Sequence, residues 1–364
     1  MKMIHCADIH LDASMMTNLS PQQAKERNIE LLETFQNMIA YGEQQQVDAI
    51  LIAGDLFDTL EPAKYMKHVF LDLVREHERI DFFYLRGNHD RSVSFEEEEI
   101  PENLKLFGRQ WKTYFCGGVC ISGVECVGNS LCYEEKSLLL DKEAVNIVML
   151  HGRTVEQGNS DNSEDQIPLG SLQHRNIDYL ALGHIHDYQK ERLDDRGLLC
   201  YSGCLEGRGY DECGQKGFVL LDIDEQEKKV VSSFVPFGKR QLYEIYVSVD
   251  GTMTSAQMVR IIEQTLESYE VQEKDFVKII LTGALDVECE KNMFYIRKKL
   301  EGRFYSLKIE DQTTYAVDYS DFILDETLKG EFVRMIQEAD LPQRDKTEMI
   351  RLGILALTGE ELAE

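Results

Sequence analysis

Residues 1–11 read MKMIHCADIHL: a short apolar run that breaks off at Asp8-Ile9-His10. The run at 2–7 is too short for a free-standing helix and reads as a buried strand. In an extended segment, residues two apart project to the same side, so Asp8 and His10 can aim two ligands into one cavity. Working outward, the runs at 49–53, 82–85, 146–150 and 179–182 are equally short, and each ends in a polar signature. These are Gly54-Asp55, Gly87-Asn88-His89-Asp90, His151-Gly152 and Gly183-His184-Ile185-His186. Open α/β sheets bind ligands beyond the carboxyl ends of their strands. The signatures should therefore converge on one site, with His184 and His186 paired as Asp8 and His10 are.

Helical patterns separate these strands. Ser20-Pro21-Gln22-Gln23 supplies an N-cap, a first-turn proline and a capping-box partner for a helix with Leu31, Leu32, Phe35, Met38 and Ile39 on its apolar stripe. Pro62 opens a second helix, with Tyr65, Met66, Val69, Phe70, Leu73 and Val74 on one side. Strand, helix, strand, helix, strand predicts a layered α/β sandwich. Strands alone follow at 198–201, 217–223 and 230–235, and Pro236-Phe237-Gly238 punctuates the chain. Beyond it the pattern of strand (242–249), helix (253–269), strand (277–281), helix (289–300) and strand (304–310) marks a second, small α+β unit, with a split βαβ arrangement open. The expected domains are 1–238, 239–320 and a C-terminal helical segment, 321–364.

A chain of 364 residues is long for a single core. The N-terminus lacks a signal peptide's apolar stretch, and no run approaches a bilayer span, so a cytoplasmic protein with no membrane partner is expected. The 9 cysteines, without a Cys-x-x-Cys pair, read as free thiols; the spacings Cys116/Cys120 and Cys200/Cys204 are looser than usual structural zinc pairs. The net charge of −27 argues against nucleic acid as a partner, because DNA binding draws its strength from Lys and Arg.

The ligand types gathered by the signatures are two carboxylates, an amide oxygen and four imidazoles. That mixture suits Mn, Fe or Zn better than Mg or Ca. The order Asp-x-His, Gly-Asp, Gly-Asn-His-Asp, His, Gly-His-x-His resembles the signature of the calcineurin-like metallophosphoesterase superfamily. Within it, IHCADIHL at 4–11 and GDLFD at 54–58 are similar to bacterial DNA-repair exonucleases of the SbcD/Mre11 type, YhaO-like branch, over roughly the first 240 residues. The small domain and helical tail sit where that family has its capping domain and ATPase-binding segment. The resemblance implies two divalent transition-metal ions, Mn2+ foremost, with Fe or Zn as alternatives. One would be held by Asp8, His10, Asp55 and His186, the other by Asp55, Asn88, His151 and His184, with Asp55 bridging. His89 would act on the substrate as the catalytic residue. Two such ions can acidify a bridging water and clamp an in-line displacement at phosphorus. Asp58 departs from archaeal and eukaryotic relatives, which carry histidine there, so no role of that histidine transfers.

Arg208, in the glycine-rich YSGCLEGRGYDE at 201–212, and Arg86 and Arg153 are candidate contacts for substrate phosphate. The alternative for each is ion pairing with neighbouring carboxylates. His5, His68, His77 and His174 fall outside the signatures and read as structural, Asp90 as an orienting residue, 96–99 as a solvated loop, and 154–166 as a mobile surface loop. The leading reading is a DNA exo/endonuclease in repair, partnered by an SMC/Rad50-like ATPase through the apolar helices of 321–364, with a homodimer left open. The alternatives are a phosphodiesterase or phosphatase on a small or nucleotide substrate, and a non-catalytic interaction module.

Overall fold

The structure, a computed structural model, describes residues 1–15, 19–125, 138–156 and 165–358. The capping box at Ser20 forms as expected: its hydroxyl accepts from the Gln23 N–H, and the Gln23 side chain accepts from the Ser20 N–H. The chain divides into two compact units, Met1–Gln241 and Leu242–Glu364.

In chain order the first unit contains β1 (Lys2–Cys6), α1 (Pro21–Gln45), β2 (Ala49–Ala53), α2 (Lys64–Glu76), β3 (Asp81–Leu85), β4 (Leu104–Leu106), β5 (Lys112–Cys116), β6 (Val119–Gly123) and β7 (Val145–His151). There follow β8 (Arg153–Val155), β9 (Gln166–Pro168), β10 (Tyr179–Gly183), β11 (Gln189–Arg192), β12 (Leu198–Tyr201), β13 (Gly217–Asp224) and β14 (Lys229–Pro236). They build two six-stranded sheets, ordered β14-β13-β1-β2-β3-β4 and β11-β12-β10-β7-β6-β5. The period-2 alternation of each strand decides the layers. Met3, Leu51 and Phe83 face Ile147, Tyr179 and Ala181 in a core between the sheets. Ile4, Ile52 and Tyr84 face outward against Phe35, Met38 and Phe70 of α1 and α2. The result is a layered α/β sandwich. β1, β2 and β3 run parallel, as do β7, β10 and β12, which brings the signature ends of each sheet to one edge.

Some expectations shift. α2 begins at Lys64, two residues after Pro62, and Tyr65 faces solvent while Leu71 takes a buried place. Residues 157–164 of the expected surface loop lie outside the described residues; its flanks pair as β8 and β9. Residues 97–99 form an exposed 3-10 turn. His5 is a core residue bonded to the Tyr179 hydroxyl across the sheets at 2.9 Å, and burial pushes its imidazole down to about 3. The seven cysteines among the described residues are free thiols.

The second unit contains β15 (Leu242–Ser248), α3 (Ser255–Ser268), β16 (Phe276–Thr282), β17 (Ala284–Asp286), α4 (Met293–Leu300), β18 (Ser306–Asp311), β19 (Thr314–Ala316), α5 (Leu328–Glu338) and α6 (Gln343–Thr358). β15, β16 and β18 are parallel throughout, because each connection passes through a helix; this is a βαβαβ unit and not a split one. α4 starts at Met293, four residues later than the apolar pattern suggests, since Asn292 caps it. The terminal helices share a core with this unit: Val333, Ile336, Ile350 and Ile354 pack with Val287 and Phe322.

Candidate metal centre

The loops after β1 and β2 are laced together by the backbone. Asp8 N–H donates to the Gly54 carbonyl (3.1 Å), Ile9 and His10 N–H to that of Asp55 (2.9 and 3.0 Å), and Leu11 N–H to that of Leu56 (2.9 Å). The lacing demands unusual backbone: Asp8, His10 and Asp55 each have φ 51° and His184 has φ 98°. Such strain persists where the surroundings over-determine it, and it clusters at functional sites. Gly54 (φ 95°) and Gly87 allow the close approach, since a Cβ on either would collide with the His151 ring, and one on Gly87 also with the Asp55 carboxylate.

The signature residues converge. One ligand atom each from Asp8, His10 and His186, and likewise from Asp8, Asp55 and His151, lie within 4.8 Å of one another. Asp8 accepts the His184 N–H on both oxygens at 3.0 Å, and Asp55 Oδ1 accepts the His89 N–H at 2.9 Å. His10 Nε2 stands 3.9 Å from Asp55 Oδ2, and His186 Nε2 stands 3.9 Å from Asp8 Oδ1. Asn88 Oδ1 faces His151 Nε2 at 3.0 Å and His184 Nδ1 at 3.2 Å.

Outer partners aim the imidazoles. His151 Nδ1–H donates to the Ala53 carbonyl at 2.9 Å and His186 Nδ1–H to Glu212 Oε1 at 2.7 Å, which turns both Nε2 atoms toward the carboxylates. His10 Nδ1 lies 2.9 Å from Asp58 Oδ1, while its buried Nε2 has no hydrogen-bond partner. Asp90, fully buried, accepts from Leu56 N–H, Gly87 N–H and the Tyr84 hydroxyl, holding the second and third signatures together. Burial and the Asp55 charge push Asp90 up to about 6, against the hydrogen bonds it accepts.

These observations fit a cation site. Burial would lower the His151 imidazole, yet Asp55 and Asp8 hold it up at about 10; burial would raise Asp55, yet the His151 charge and hydrogen bond hold it well below the usual carboxylate range. The cluster demands positive charge among its carboxylates, His10 turns an orphaned Nε2 toward them, and the donors are nitrogen and oxygen without thiolate.

His89 sits at the rim, half-exposed, with Nδ1–H donating to the Asp58 carbonyl at 3.0 Å. The candidate arginines fare differently. Arg86 is committed to Glu125 (2.7 and 2.6 Å) and to the Val93 carbonyl, so its fork is occupied. Arg208 reaches the site but spends its donors on Glu212 and Asp58. Arg153 is exposed on β8. Sequence reasoning missed Glu212, Asp58 as an outer partner, and Asp12, which accepts the Asp58 N–H at 2.6 Å. The only hint of Glu212 was an acidic residue four positions after an arginine in a glycine-rich loop.

The profile of the calcineurin-like phosphoesterase family matches residues 1–188. The chain is 28% identical over 280 residues to the SbcD subunit of the SbcCD nuclease of Staphylococcus epidermidis, covering 67% of this chain and 72% of that protein. It is 28% identical over 241 residues to the uncharacterized metallophosphoesterase YhaO of Bacillus subtilis, covering 60% of this chain and 57% of that protein. The crystal structure of TT1561 of Thermus thermophilus aligns with a TM-score of 0.42 at 15% identity, over 64% of this chain and 98% of its own.

Proposed function

Since the chain belongs to the calcineurin-like phosphoesterase family and is therefore a metal-dependent phosphoesterase, we propose that it is a two-metal phosphodiesterase whose substrate is DNA. The observation that carries the two-metal reading is the position of Asp55, whose Oδ2 lies 3.9 Å from His10 Nε2 and 3.4 Å from His151 Nε2. Asp8, His10 and His186 would complete one position, and Asn88, His151 and His184 the other. When bound, the ions would supply charge neutralisation at the phosphoryl oxygens and an acidified water.

The chain's own residues do the rest. Glu212 and the Ala53 carbonyl hold the imidazoles in the tautomer that leaves Nε2 inward. His89, tethered to Asp55 through its backbone and to the Asp58 carbonyl through Nδ1–H, keeps Nε2 as the nitrogen that can carry a proton to the leaving oxygen. The relative named as one subunit of a nuclease supports a nucleic-acid substrate and a second subunit as partner. On our reading the substrate is DNA, the partner is an ATPase, and manganese is the working ion that the mixed nitrogen and oxygen donors suit. That partner would dock on the outer face of α5, where Leu328 and Met335, with Leu324 just before the helix, remain exposed. No helix among the described residues is long and apolar enough to cross a membrane.

A second reading, a small or nucleotide diester as substrate, is favoured by the charge of −27 and by the occupied forks of Arg86 and Arg208. Manganese-loaded protein assayed on linear and hairpin DNA beside a cyclic nucleotide separates them. Degradation of DNA supports the first; turnover of the cyclic nucleotide alone overturns it.

A further inference from the structure

Arg208 was a candidate for gripping substrate phosphate, and its surroundings point elsewhere. Its Nε and one terminal nitrogen donate to Glu212 Oε1 at 3.1 and 2.8 Å, and its backbone N–H donates to Glu212 Oε2 at 2.7 Å. The other terminal nitrogen donates to Asp58 Oδ1 at 3.0 Å. Those carboxylates stand behind two different histidines. Glu212 Oε1 accepts the His186 Nδ1–H at 2.7 Å, and Asp58 Oδ1 lies 2.9 Å from His10 Nδ1. The two imidazoles meet edge to face with centroids 5.3 Å apart, and both point Nε2 toward the Asp8/Asp55 carboxylates.

We propose that Arg208 is a positioning residue: one guanidinium ties Asp58 to Glu212 and through them fixes the aim of His10 and His186, the imidazole pair of one metal position, without touching substrate. The inference rests on the two-metal reading above and adds a role to it. Three features carry it. Glu212 is buried and has no other arginine or lysine partner among the described residues, so the Arg208 fork neutralises it. The guanidinium is planar and its donors diverge at fixed angles, so it can span two carboxylates that a point-charge ammonium cannot span with the same geometry. The Arg208 side chain is also mostly buried, with only 21% of its surface exposed, which suits an internal tie better than a phosphate grip. The lysine of the same region does related work: Lys216 Nζ donates to the His186 carbonyl at 2.9 Å and to Asp187 at 2.7 Å, so the backbone of His186 is held as well as its ring.

The test compares the full-length wild type with Arg208→Lys, which keeps the charge and removes the fork. Long-range attraction between the site and a cation is then nearly unchanged, so a difference reports geometry. Cobalt(II) titration followed by visible absorption and by calorimetry should find two ions on the wild type. In Arg208→Lys one of the two should weaken by about 10–100-fold, the usual effect of losing an outer partner, with its absorption band altered and the other ion unmoved. At saturating manganese the KM for bis(p-nitrophenyl) phosphate should stay within about twofold, as expected where uniform substrate binding is untouched. Asp58→Asn should weaken the same ion, and it decides the matter alone if circular dichroism shows Arg208→Lys misfolded. Two ions held as tightly as in the wild type, with a raised KM, would make Arg208 a substrate contact and overturn the inference. A wild type that binds fewer than two ions overturns the two-metal reading itself, a distinct result.

Discussion

Replacing His89 with alanine separates chemistry from metal binding, because the structure lets each loss be weighed. The side chain is 44% exposed, so its removal leaves no sealed cavity. Its side-chain bond, Nδ1–H to the Asp58 carbonyl, is solvent-exposed and worth about 0.5–1.5 kcal/mol at most. Its tether to the Asp55 carboxylate runs through the backbone N–H, which alanine keeps. Fold and metal content should therefore stay near wild type. If Nε2 protonates the leaving oxygen, kcat should fall by about 10²–10⁴. At about 1.36 kcal/mol per tenfold, that is roughly 3–5 kcal/mol of transition-state stabilisation, more than the lost hydrogen bond could supply. The leaving group refines the test. Nitrophenolate departs without needing a proton, so the deficit should be smaller on bis(p-nitrophenyl) phosphate than on an alkyl or nucleoside diester. The assay pairs kcat and KM at saturating manganese with metal content by mass spectrometry. Loss of metal together with activity would refute the reasoning by making His89 a ligand; turnover near wild type would remove it from the mechanism.

Asp55→Ala should empty both metal positions, since its carboxylate faces histidines of each; one tight ion remaining after dialysis would contradict the bridging role. Burial would raise Glu30, but hydrogen bonds and charge from Arg240 and Arg27 hold it down at about 2, below the ordinary glutamate value of about 4.3. A depressed carboxyl contributes stability above its unfolded value and loses it as pH falls through the folded one. The Tm gap between wild type and Glu30→Gln should thus be full at pH 6, shrink below about pH 4.3 and close near pH 2; a gap independent of pH would sink the assignment. On the terminal helices, Leu328→Ser with Met335→Ser should leave the melting curve unchanged and abolish capture of the proposed ATPase partner, whereas Ile350→Ala, at a fully buried position, should cost about 2–5 kcal/mol in denaturant titration. Undiminished capture by the double variant would move the partner surface elsewhere.

What could be read from the sequence was the part dictated by local chemistry. A strand that must bury both faces is apolar throughout, and a site at its carboxyl end then stands out as Asp8-Ile9-His10 or Gly183-His184-Ile185-His186 against that background. The capping box at Ser20 is equally local, and it formed as written. The glycines of Gly54-Asp55 and Gly87-Asn88 read as sharp turns that let a ligand approach, but the group that excludes a side chain there, the His151 ring, is a tertiary neighbour. The short edge strands β4 and β5 were not legible, because half-exposed residues such as those of Lys112–Cys116 carry little apolar signal.

The outer partners lay beyond local reading altogether. Asp58 and Arg208 are 150 positions apart, and only the stacking of one sheet on the other brings them to 3.0 Å. Arg86 and Arg208 are alike in sequence as basic residues near a signature, yet each found a carboxylate, Glu125 or Glu212, placed by a different turn. The candidate metal-facing residues could thus be picked out in the sequence itself, because the chemistry admits few residue types. Their aim was decided by tertiary structure, because the hydrogen bonds that turn an imidazole come from whichever group the packed sheets bring alongside it.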